Sequence, residues 1–108
     1  MARYMIQASY SSQGLSALIK DPQDRSAAVR RMIEGLGGKL ETFDYAFGDY
    51  DVVAILELPD NVTMMATSMA IASSGALKSF NTTVLMPMAQ AVEAMRKASA
   101  VGYQPPGR

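Results

Sequence analysis

The sequence predicts an α+β fold: four strands and two main helices in the order β-α-β-β-α-β, with a further helix at the C-terminus. Three observations carry this. Strand-like alternation in "RYMIQASY" and "YDVVAILEL" flanks a stretch with helical periodicity, "AAVRRMIEGL". Gly, Pro and Asp punctuate the boundaries in "LGGK" and "ELPD". Only "GD" separates the second and third strands, which marks a hairpin.

The elements follow in order. Residues 3–10 read as a strand, with Ile6 and Ala8 on one face and Met5, Gln7 and Ser9 on the other. In "SSQGLSALI", Ser12 is expected to cap a short turn that buries Leu15, Leu18 and Ile19. "DPQDRSAAVRRMIEGLGG" is the strongest helix signal. Asp21 suits the cap, Pro22 the first helical position, and Val29, Met32, Ile33 and Leu36 recur on one face. Gly37 and Gly38 supply a left-handed stop.

Residues 39–47 read as the second strand. A two-residue loop follows, in which Gly48 is expected to take a positive φ. Residues 50–58 make the third strand, ended by Pro59. Asp60 caps a helix to about Ser74, with Val62, Met65, Met69 and Ala72 as its expected core stripe and Gly75 as its end. Residues 77–86 are the fourth strand, rich in Thr and other strand formers. A last amphipathic helix runs from about Met88 to Ala100, with Met88, Val92 and Met95 in register. One domain is thus expected over residues 1–101, with 102–108, "GYQPPGR", as a disordered tail.

Right-handed crossovers place both main helices on one face of a four-stranded antiparallel sheet, a ferredoxin-like arrangement. The other face would meet water in a lone chain. Yet the third strand is aliphatic on both sides: Val52, Ala54, Leu56 and Leu58 on one, Val53 and Ile55 on the other. Phe43, Tyr45 and Phe47 add three aromatics to one side of the second strand. An apolar sheet face of this extent marks an interface. The expected answer is a homodimer that closes two sheets face to face. With Ile6, Leu56, Phe80 and Val84 toward the helices, Gln7, Ser9, Glu57, Ser79, Asn81 and Thr83 would line the space between sheets. That space reads as a small-molecule cavity or as a hydrated inter-sheet core.

Composition removes several functions. Ten basic residues balance ten acidic ones, without a basic stripe, so neither nucleic acid nor an anionic membrane surface is an expected partner. There is no Cys and no His, which excludes disulfides, thiolate zinc sites and iron–sulfur clusters. The usual proton shuttle near neutral pH is missing too, so any acid–base work falls to Asp, Glu, Lys or Tyr. No metal and no cofactor are expected. "MARYMIQASY" lacks a signal-peptide run and no stretch reaches the roughly 20 apolar residues of a membrane span. A cytoplasmic protein is the expectation.

Four carboxylates crowd into "FGDYDVVAILELPD". Asp49 fits the turn and Asp60 the helix cap. Asp51 and Glu57 share a face, but about 20 Å of strand separates them, too far for a carboxylate pair within one chain. Glu57, beside Ile55, reads as a salt-bridge partner or as a general base with raised pKa. Arg25 stands four residues before Val29, near the positive end of its helix. It reads as a clamp for a substrate carboxylate or as a stem over the core with a paired head. Tyr10, Ser12 and Gln13 lie where the first strand meets a loop, where Tyr and Gln can bind a ligand carbonyl or anchor the loop. Met64, Met65 and Met69 on one helix read as core filling ahead of a soft copper site.

"YSSQG" at 10–14, "GG" at 37–38, and above all "GDYDVV" followed by "ELPD" resemble the GYD domain family of small proteins grouped with the dimeric α/β-barrel, ferredoxin-like superfamily. Gly48, Tyr50 and Asp51 meet the G-x-Y-D pattern, and the resemblance covers about residues 3–87, short of the last helix. It implies the fold and the dimer, and brings no established activity. Superfamily relatives include cofactor-free monooxygenases, lactone isomerases, haem peroxidases and ligand-sensing modules. The haem relatives rely on a histidine that this chain lacks.

The leading functional expectation is a homo-oligomeric module that binds a small organic molecule or serves assembly. Its candidate ligand contacts are Tyr10, Gln13, Arg25, Tyr50, Glu57 and Asn81. One alternative is a cofactor-independent isomerase or monooxygenase with Glu57 or Asp51 as base and Arg25 or Tyr10 orienting substrate. The other is a purely structural scaffold that uses helix 88–100 as its contact.

Overall fold

The computed structural model describes residues 1–107. Its elements are β1 (Ala2–Tyr10), α1 (Ser12–Lys20), α2 (Ser26–Gly35), β2 (Lys39–Tyr45), β3 (Val52–Leu58), α3 (Asn61–Ala72), β4 (Leu77–Leu85) and α4 (Met88–Ala98). The strands form one sheet in the order β2-β3-β1-β4, and every neighbouring pair is antiparallel. This is the ferredoxin-like α+β arrangement that the sequence predicts.

Alternation along the two central strands builds the core. Tyr4, Ile6 and Ala8 of β1 lie in register with Leu56, Ala54 and Val52 of β3, and all six are buried. Ile33 of α2, Leu40 of β2, Leu58 of β3 and Met64 of α3 complete the cluster. Tyr4 buries its ring and donates its hydroxyl to Asn61 Oδ1 at 2.6 Å, which ties the sheet to the start of α3. The opposite face carries Met5, Gln7, Val53, Ile55 and Glu57, all half-buried in the single chain.

The first helical region differs from expectation. Residues after the first strand form a full nine-residue helix, α1, capped by Ser11 and not Ser12. Ser11 Oγ accepts from Gly14 N–H at 3.1 Å and donates to the Gly75 carbonyl at 2.9 Å. Asp21 therefore ends α1, with its N–H on the Ala17 carbonyl, and does not start α2. The helix begins at Ser26 because Asp24 Oδ1 accepts from both the N–H and the hydroxyl of Ser26, at 2.8 and 2.6 Å. At its far end Gly37, at φ 84°, gives its N–H to Glu34 and Gly38 gives its N–H to Ile33, a left-handed stop.

Asp60 caps α3 as expected, accepting from Thr63 N–H at 2.8 Å and Thr63 Oγ1 at 2.7 Å. The Thr63 N–H, then its hydroxyl, hold the Asp60 carboxyl below the usual range, and Ser26 does the same for Asp24. A depressed carboxyl pKa adds stability above the unfolded value of about 4 and loses it as pH falls through the folded one. Thermal melts from pH 6 down to pH 3 are expected to show this loss. An Asp60→Ala variant, less stable near neutral pH, should lose less on acidification than the parent.

Three further expectations are corrected. The stripe Val62, Met65 and Met69 does not face the core: these residues are 79%, 58% and 63% exposed, while Met64 and Thr67 are buried. The helix is apolar nearly all round, so periodicity could not set its phase. The connection after β2 spans residues 46–51, not two residues, and Gly48 has no positive φ. Its geometry is set by β1: Asp51 N–H donates to the Ala8 carbonyl at 2.9 Å and Ser9 Oγ to the Asp49 carbonyl at 3.3 Å. Phe43 and Tyr45 pair with Ala54 and Val52 on the helix side of the sheet, past a register shift between Leu40 and Thr42, and Phe47 lies beyond the strand, exposed. The open face is therefore aliphatic and polar, without these aromatics.

The last helix, α4, buries none of its residues; Met88 and Met95 are 71% and 62% exposed. The radius of gyration is 17.6 Å, against about 13 Å for a compact domain of this length. Residues 102–107 form no helix or strand, and Arg108, the last of the expected tail, lies outside the described residues. Among the described residues no helix is long and apolar enough to cross a membrane.

Candidate functional site

The helices do not close down on the sheet. A cavity of about 730 Å³ lies between the layers, within the usual range for organic ligands. Ile6, Ala8, Val52, Ala54 and Leu56 form its floor, flanked by Phe43 and Phe80. Ala28, Val29, Met32 and Ile33 of α2 make one wall; Met64, Thr67, Ala70 and Ile71 of α3 make the other. Small residues keep this space open: Ala8 and Ala54 on the strands, Ala28 and Ala70 on the helices. Gly14 lets α1 pass against the Ala76 backbone carbonyl, where a Cβ would have no room.

Polar groups are few and gather at one end. Thr67 and Ser74 donate their hydroxyls to the Thr63 and Ile71 carbonyls of α3. That leaves Tyr10 and the loop residues Asp21, Gln23 and Arg25. Gln23 Nε2 donates to Asp21 Oδ2 at 3.1 Å, and Arg25 Nη1 donates to Gln23 Oε1 at 3.4 Å. Arg25 has no carboxylate within ion-pair distance; the only pairs among the described residues are Arg3–Glu41 and Lys97–Glu93. The Tyr10 hydroxyl makes no hydrogen bond to the described residues. Burial pushes its pKa up, Arg25 pulls it down, and Tyr45 and Asp51 push it up further. The phenol therefore stays protonated, and a donor, across neutral pH.

The sequence-derived candidates fall in different places. Tyr10 and Arg25 both line the cavity, near enough for the Arg25 charge to act on the Tyr10 phenol. Arg25 is exposed just before α2 and lies on no core stripe. Asp51 is structural: its Oδ2 accepts the Tyr10 backbone N–H at 3.0 Å, which fastens the loop to the end of β1. Tyr50 sits half-buried in that loop. Gln13 lies on α1 in a surface depression with Ser12, Ser16 and Lys20. Glu57 and Asn81 occupy the open face of the sheet, Glu57 opposite Arg3 and Lys39, Asn81 opposite Gln7. Met64 is buried while Met65 and Met69 face outward, so the three thioethers do not share one side.

Sequence reasoning missed the cavity walls and Gln23. Alanines on α2 and β3 read as ordinary fillers, and no local signal reports an empty space between layers. The space expected from the sequence lies on the other side of the sheet, between two copies, which a single chain does not display.

The architecture defines the class: a ferredoxin-like α+β protein with a largely apolar chamber under its helices. The chain belongs to the GYD domain family, whose family model matches residues 4–95. The match reaches into α4, beyond the span of the motifs that suggested it. No curated protein and no solved structure matches the chain.

Proposed function

We propose that this GYD domain protein is a homo-oligomeric module that binds a small organic molecule between its helices and its sheet. The carrying observation is the cavity of about 730 Å³ with an apolar lining and a single polar end. An apolar cleft of this size leaves its lining in reach of water, and the hydrocarbon body of a ligand would remove that area from water. Binding stands ahead of catalysis because neither Glu57 nor Asp51, the candidate bases, lines the cavity.

Two surfaces support the oligomer. Met5, Val53 and Ile55 form an aliphatic centre on the uncovered side of the sheet, suited to a two-fold partner. The 11-residue α4 exposes Met88 and Met95, and a helix this short is marginal in water without packing. A second copy covers both in this reading.

Native mass spectrometry of protein purified from its natural host tests the two halves together. The expected spectrum shows a multiple of the 11.6 kDa subunit mass carrying the added mass of a small molecule. A bare single-subunit mass after gentle handling, with no probe taken up on titration, overturns the reading.

A further inference from the structure

We infer that the ligand is an amphipathic carboxylate, its hydrocarbon body in the cavity and its head on Arg25 with Tyr10 as second donor. This rests on the binding reading above and adds the chemistry of the head group.

The cavity interior offers few polar partners: the Thr67 and Ser74 hydroxyls already donate to the Thr63 and Ile71 carbonyls of α3. A ligand must therefore be apolar along its body. Its mouth is different in kind. Arg25 carries five guanidinium N–H donors and spends one, at 3.4 Å, on a neutral amide oxygen. Tyr10 presents a hydroxyl free of hydrogen bonds to the described residues. Both are donors with capacity to spare. A carboxylate supplies two acceptor oxygens in the planar geometry that a guanidinium matches.

Charge points the same way. Arg25 immediately precedes α2, at the positive end of the helix dipole, where an unpaired cation is unfavourable and an anion is welcome. Asp24, Asp21 and Asp51 are the acids of this end, and Asp24 is already held by the Ser26 N–H and hydroxyl. The Asp21 carboxylate is engaged by Gln23 Nε2 and the Asp51 carboxylate by the Tyr10 backbone N–H. Each has a donor already, while Arg25 has no anion. A cationic ligand would meet the like charge of Arg25, and only Asp21 among the cavity-lining residues would receive it.

Calorimetric titration with three matched probes tests the assignment: decanoate, decan-1-ol and decylamine. The wild-type chain is expected to prefer decanoate over decan-1-ol by about tenfold or more, the effect of one charge-assisted contact. Arg25→Gln should bring the two to parity, chiefly by weakening decanoate. Arg25→Lys should keep part of the preference, and Tyr10→Phe should reduce it a few-fold. Arg25 is exposed and makes no cap hydrogen bond, so these variants should fold; their circular dichroism spectra check that. Equal binding of acid and alcohol, tighter binding of decylamine, or a preference that survives Arg25→Gln overturns the anion assignment and leaves the cavity reading standing. Uptake of none of the probes removes both.

Discussion

Gly38→Ala is expected to destabilise the chain by about 3 kcal/mol, the scale of a forced overpacking. The residue has no unusual φ; the obstacle is space. A Cβ there would run into the Glu57 backbone carbonyl, and it would come within 2.8 Å of Leu58 Cδ2 and 3.1 Å of Ile33 Cγ2. Leu58 and Ile33 are 0% and 1% exposed, so neither can retreat without opening the core. The carbonyl belongs to a central strand held from both sides. For a domain this small the loss corresponds to a fall in melting temperature of about 15 °C. Gly48→Ala is the control. Its φ is not positive and nothing lies within 4 Å of the added methyl, so a change within about 0.5 kcal/mol is expected. Chemical denaturation of both variants decides it. Equal stability of the two would show that α2 can shift off β3 at no cost.

The second large effect concerns the chamber. Ala54 sits at the centre of its floor, paired with Ile6 on one side and Phe43 on the other. Ala54→Phe should place a ring in the empty volume. A small-to-large change normally strains a packed core, but here the space already exists. Melting temperature should stay within a few degrees of the parent. Binding of decanoate and of decan-1-ol alike should fall by about a hundredfold or more, because the ring occupies the volume that the alkyl chain would bury. Retained affinity with a retained fold would place the ligand elsewhere, on the open face of the sheet or at an assembly interface.

Much of the architecture was legible because its signals are local. Alternation in β1 and β3, the Asp60 cap and the Gly37 stop each depend on a handful of neighbouring residues, and each stands where expected. The failures share the opposite cause. Gly48 and Asp49 look like a tight hairpin, but Ala8 and Ser9, some forty residues earlier, dictate the path of that loop. α3 is apolar nearly all round, so its own pattern does not fix which of Met64 and Met65 goes in; its docking on the sheet, tied by the Tyr4–Asn61 hydrogen bond, buries Met64. Asp24 took the helix start from Asp21 and Pro22 because α1 runs longer than a turn.

The site was legible in the same uneven way. Tyr10 and Arg25 stand out by residue type at a strand end and a helix start, and both line the cavity. Glu57 and Asn81 belong to the far side of the sheet, where they accompany Arg3 and Gln7. Asp51 holds backbone, and its motif neighbour Tyr50 rides on the loop thus held. The G-x-Y-D signature therefore marks a fastening of the chain in this structure, beside the chamber and not in it.

The order of the strands leaves two unlike borders. β2 carries Lys39, Glu41 and Asp44 and an irregular register, which discourage a stray extended segment from zipping alongside. β4 carries a lone Lys78 at its start and then runs uncharged from Ser79 to Leu85. Lateral growth of the ribbon is thus resisted at one margin and hardly at the other, and any foreign backbone that adds itself in parallel or antiparallel fashion will meet least opposition along β4.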